Sequence, residues 1–145
     1  MILLDDHLLL RVLVGDAPDE LEEQSIEGIA TTTAWWWRAV SPLAAARATA
    51  GRHTRTAAAL TPVESDALWE ALCRVGQPGS LVTMPELVAL GPAMAWLART
   101  EGLNRLAAEV VAAAADRAAD VWVRRGNEGR LGKMAGRYGF RLHVM

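Results

Sequence analysis

Apolar and polar positions along the chain fall into short blocks whose internal spacing changes repeatedly. Ile2-Leu3-Leu4 is an apolar run closed by Asp5-Asp6, and His7 to Val14 then takes helical spacing up to Gly15. That order reads as strand, acidic turn, helix. Residues 16–27 are acidic enough to form a short solvated helix, and Gly28 to Thr32 reads as a second strand feeding a helix from about Thr33. Pro42 predicts a kink or break in that helix, which the alanine-rich residues 43–50 continue. Gly51 to Thr56 is a basic loop. Thr61-Pro62-Val63-Glu64 has the form of a capping box with proline at the first helical position, opening a helix to about Val75.

After the turn at 76–79, Ser80 to Thr83 predicts a strand, and Thr83-Met84-Pro85-Glu86 a second capping box that opens a helix to Arg99. Gly91-Pro92 should kink or interrupt that helix. Leu103 to Ala119 is the clearest helix, followed by a strand at 120–123, a short helix at 128–138 and a closing strand at 140–144. Strands alternating with helices predict an α/β fold: a mainly parallel central sheet of four to five strands with helices on both faces. In such sheets the ligand site lies beyond the carboxyl ends of the strands, where strand order reverses. Asp5 and Asp6 stand at one such end, Asn127 and Glu128 just past another.

Size adds one statement: 145 residues suit one domain, 1–145, with a core that needs no disulfide. Cys73, the single cysteine, reads as a small buried side chain. No segment holds the roughly eighteen apolar residues of a membrane span. With no basic stretch before the first apolar run, the expectation is a cytoplasmic protein away from any membrane.

Charge is more telling, because the net −2 hides segregation. Eight acids between Asp5 and Glu27 face one arginine, whereas Arg38, Arg47, Arg52 and Arg55 meet no acid between 28 and 63, and a basic block runs from Arg124 to Arg141. Such blocks allow a polyanion to bind an acidic protein. Arg38, Arg47, Arg52, Arg55, Arg124 and Arg125 are the candidate phosphate contacts.

Acids at strand ends suit a hard divalent cation, Mg²⁺ or Mn²⁺. The candidates are Asp5, Asp6, Glu109, Asn127 and Glu128. Each has a structural alternative. Asp6, just before His7, can simply cap the first helix. Glu109 sits among apolar neighbours, where a carboxylate needs a partner, or at a surface edge paired with Arg105. Glu64 and Glu86 are already explained by the capping boxes. Trp35-Trp36-Trp37 on a helix must point three ways, which predicts two in the core and one at an interface with nucleic acid or protein. No dinucleotide fingerprint, Walker loop or nucleophile elbow is present, and His7, His53 and His143 are too scattered for zinc.

The opening ILLDDHLLLRVLVG resembles the start of PIN-domain proteins, and LNRLAAEVVAAAADRAADVWVRRGNEGRLGKMAGRYGFRLHV resembles their closing long helix, strand, acidic loop, short helix and strand. The resemblance implies a PIN-like three-layer sandwich and a Mg²⁺- or Mn²⁺-dependent ribonuclease, toxin-like and held by an antitoxin or other protein partner. On it, Asp5 matches the first acid, Glu109 the acid of the long helix if two residues are missing after it (a gap-free alignment places Ala107 there), and Asn127 or Glu128 the last acid. The acid expected early in the second helix is replaced by Trp35-Trp36-Trp37-Arg38. The leading expectation is cleavage of RNA with Asp5, Glu109 and Glu128 as catalytic residues. Its rival is a catalytically degenerate PIN-like module that binds RNA, a protein partner or its own copy as a homodimer.

Overall fold

Ile2, Leu4, Ile29, Val82 and Trp122 turn one way from their strands, and Leu3, Ala30, Val121 and Val123 the other. This two-residue alternation fixes a sheet buried on both faces. The computed structural model describes residues 1–24, 28–48 and 62–145. Its strands are β1 (Ile2–Leu4), β2 (Ile29–Thr31), β3 (Val82–Thr83), β4 (Asp120–Val123) and β5 (Leu142–Val144). All four pairings are parallel, in the order β3-β2-β1-β4-β5. The chain runs outward from β1 to β2 and β3, then returns to the far side of β1 as β4. The order therefore reverses between β1 and β4.

Helices α1 (Asp6–Leu13), α2 (Asp19–Gln24), α3 (Thr33–Ala48) and α4 (Pro62–Arg74) follow the first strands; α5 (Leu87–Thr100), α6 (Arg105–Arg117) and α7 (Leu131–Tyr138) follow the later ones. Leu8, Leu9, Leu43, Leu68 and Leu72 pack on the Ile2/Leu4 face. Leu90, Leu97, Val110, Val111 and Met134 pack on the Leu3 face. The result is the expected three-layer α/β sandwich, with five strands. Among the described residues no helix is long and apolar enough to cross a membrane.

Four expectations are corrected. Pro92 lies within a continuous α5 rather than interrupting it. The carbonyl that loses its amide is that of Val88, four residues back on an exposed face where water can bond it. Pro42 likewise sits inside α3. The second capping box does not form: Thr83 belongs to β3, where its hydroxyl donates to the Ile29 carbonyl (3.2 Å), and the Glu86 side chain caps nothing. Cys73 is exposed, because the buried stripe of α4 runs through Leu68 and Leu72 instead. Thr61, of the first box, and the loop 51–56 lie outside the described residues.

Candidate nucleic-acid interface

Asp5 ends β1 with an extended backbone (φ −72°, ψ 173°) and is the N-cap of α1, its Oδ1 accepting from the Leu8 amide at 2.9 Å. Its Oδ2 accepts from the Arg124 amide (2.8 Å) and from Asn127 Nδ2 (2.7 Å). Three donors thus surround a fully buried carboxylate, tying the end of β1 to the loop after β4. A buried charge is tolerable when its oxygens accept such bonds. Gly126 (φ +95°) gives that loop the left-handed turn that brings Asn127 over Asp5. Capping therefore falls to Asp5, not to Asp6.

Asp6, in the first turn of α1, keeps one oxygen 3.2 Å from Arg38 Nε and the other 3.4 Å from Asn127 Nδ2. Burial pushes its carboxyl above the ordinary 3.8; Arg38 opposes the rise and Asp5 adds to it.

Glu109 projects from α6 and is buried, as its apolar neighbours suggested, and its protein partners are backbone amides rather than Arg105. Its oxygens accept from the amides of Thr33 (2.6 Å) and Ala34 (3.2 Å), and Thr32 Oγ1 accepts from the Trp35 amide (3.2 Å). A residue 76 positions away thus caps α3, where unpaired amides and the helix dipole favour negative charge. Glu128 turns back on its own loop and accepts from the Gly126 amide.

The tryptophans divide as their spacing requires. Trp35 is core, Trp36 is half-buried with Nε1 donating to the Leu72 carbonyl (2.9 Å), and Trp37 is 63% exposed. Trp37 and Arg38 border a cavity of about 440 Å³ shared with Thr33, Arg105, Leu106 and Glu109. On the other side of Arg38 lies a second hollow of about 390 Å³ lined by Asp6, His7, Arg124, Arg125 and Asn127. The two hollows share Arg38: the second lies past the carboxyl ends of β1 and β4, where strand order reverses, the first past that of β2, and together they make up the cleft at the carboxyl edge of the sheet.

Of the six candidate arginines, Arg38, Arg124 and Arg125 line this cleft. Arg47 does not: it pairs with Asp66 and lies 5.2 Å from the Trp69 ring centroid, in the contact between α3 and α4. Arg52 and Arg55 lie outside the described residues. Arg105 is an addition. It stands one turn before Glu109, so the same helical spacing that suggested an ion pair also places it at the cavity above that acid.

The acids do not fit a divalent cation as they stand. Asp5, Glu109 and Glu128 all accept N–H bonds from the protein, and Arg38 holds the place beside Asp6. Among the described residues no three His, Cys, Asp or Glu side chains are grouped so as to hold a metal ion. Comparison with protein-family models and with curated proteins finds no match to this chain.

Proposed function

We propose that the chain is a PIN-like module that binds the backbone of single-stranded RNA in the cleft at the carboxyl edge of its sheet, its acids serving to build the cleft rather than to cleave. The observation that carries this reading is the division of labour within the site. Asp5 and Glu109 are engaged by protein donors, while Arg38, Arg105, Arg124, Arg125 and the exposed Trp37 face the cleft. Among the described residues Arg105, Arg124 and Arg125 have no ion-pair partner, so their charge is free for phosphate. Trp37 offers an indole face to an unpaired base, and such stacking contributes about 1–3 kcal/mol per base.

Fluorescence anisotropy with a labelled uridine oligomer tests it. Binding persists in EDTA, weakens by about 1–3 kcal/mol in Trp37→Ala, and falls further in the Arg124→Ala/Arg125→Ala double variant. Binding that vanishes with EDTA, or that ignores both variants, refutes the reading.

A second reading, the metal-dependent ribonuclease with an antitoxin partner, is favoured by one observation: Asp5 and Asp6 converge on the same Asn127 amide. It requires Arg38 to leave Asp6. Calorimetric Mn²⁺ binding and RNA cleavage by the wild type, both lost in Asp6→Asn, would select it over the first.

A further inference from the structure

The loop after β4 reads Gly126-Asn127-Glu128-Gly129-Arg130, with left-handed glycines on either side of Asn127-Glu128 (φ +95° and +42°). These turns fold the loop back on itself. Arg130 Nη1 then donates to the Gly102 carbonyl and pins the loop to the segment leading into α6. Between the two lies a third hollow of about 310 Å³, walled by Leu106, Ala107 and Leu131 and edged by Asn104, Glu128 and Arg130. It shares Leu106 with the first hollow of the cleft and Asn127 with the second. Its polar groups are only partly engaged. One oxygen of Glu128 accepts from the Gly126 amide, and the other has no partner among the described residues. Asn104 Oδ1 caps α6 by accepting from the Ala107 amide (2.9 Å), which leaves its N–H groups without a partner among the described residues. Arg130 likewise keeps further N–H groups beyond its bond to Gly102.

We infer that this hollow is a guanine-selective base pocket at the side of the RNA cleft, with Glu128 as the residue that selects; the inference rests on the cleft reading above. The half-buried carboxylate disfavours a phosphate here, and the guanidinium disfavours a bare metal cation. A neutral, flat group that presents donors and acceptors together fits both. The volume lies at the low end of the roughly 300–1,000 Å³ of ligand pockets, which suits one base. Among the RNA bases only guanine carries two adjacent donors on its pairing edge, N1–H and N2–H₂, and a carboxylate with about four lone-pair sites can accept from both. Its O6 and N7 are acceptors, matched by the N–H groups of Asn104 and Arg130. Uracil sets carbonyl oxygens on either side of its single N–H, and adenine and cytosine set an acceptor nitrogen beside the amino group. Each would turn a lone pair toward Glu128 and leave a polar group unsatisfied. Because Leu106 and Asn127 also line the cleft, a strand lying there brings a splayed base to the mouth of the pocket, which is how single-stranded RNA is ordinarily read.

Fluorescence anisotropy of the full chain in EDTA tests the inference with three labelled probes: a uridine oligomer, the same oligomer with one central guanosine, and the same with inosine there, which lacks the 2-amino group. The wild type is expected to bind the guanosine oligomer about tenfold more tightly than the uridine one, with inosine in between. Glu128→Gln is expected to bind all three alike, and the uridine oligomer as the wild type does, because its amide oxygen keeps the Gly126 contact while its N–H₂ turns toward the base. Equal binding of the three probes by the wild type, or a guanosine preference that survives Glu128→Gln, overturns the inference and leaves the cleft reading standing. Failure of every probe to bind refutes the cleft reading and this inference with it.

Discussion

Asp5 turns both carboxylate oxygens inward to three protein donors, while Asp6, one residue on, stays half-buried against Arg38 at the cleft. Their sequence contexts are almost identical. Adjacent side chains point apart, however, and only the pairing of β1 with β4 brings Arg124 and Asn127 to one of them. That long-range contact was not legible locally, so the sequence reading exchanged the capping role between the two. The tryptophans were legible, since three successive positions on a helix cannot share one environment. A consequence for Asp6 concerns pH. Burial raises its folded-state pKa above 3.8 despite Arg38, so the folded chain holds that proton more tightly than the unfolded chain. Its stabilising contribution is fully present below 3.8 and is lost as pH rises through the raised value. Melting temperatures of wild type and Asp6→Asn from about pH 3 to about pH 6 should therefore show the wild type losing ground to the variant as pH rises. A constant difference, or the opposite slope, contradicts this.

At the scale of elements, α3 begins where it does because Thr32 and Glu109 satisfy its first amides, one from its own chain start and one from α6. Glu109→Gln keeps the shape but turns an N–H toward an amide donor. It should cost about 1–3 kcal/mol in urea denaturation and release the first turn of α3 to faster amide exchange at Thr33 and Ala34. A loss confined to metal binding, with stability intact, would contradict the capping role. Most elements were readable from spacing and turn residues. The second capping box was not, because its letters are also compatible with an edge strand, and pairing of β3 with β2 claims Thr83 first. Each proline was read as a kink or a break, and the break does not occur, because sequence alone does not reveal that an exposed carbonyl can turn to water.

For the molecule as a whole, the segregated charge of the sequence becomes a cleft whose basic residues come from α3, α6 and the loop after β4. The general position was legible from the rule for parallel sheets. The membership was not, since Arg47 is diverted to Asp66 and Arg105 joins from an acid's neighbour. If the four arginines of the cleft each neutralise one phosphate, the logarithm of RNA affinity should fall against the logarithm of salt concentration with a slope of about −3. Arg105→Ala should lower the magnitude of that slope by about 0.7; an unchanged slope would remove Arg105 from the contact. The strand order has a separate consequence, for assembly of the fold. β1 lies at the centre of the sheet, yet one of its edges waits for β4, more than a hundred residues later. Until that segment arrives, Leu3 and its neighbours present open backbone along that side and the Asp5 carboxylate lacks its Arg124 and Asn127 donors. Closure of the sheet is then a late, long-range event, which places the chain among slow folders dependent on non-local pairing.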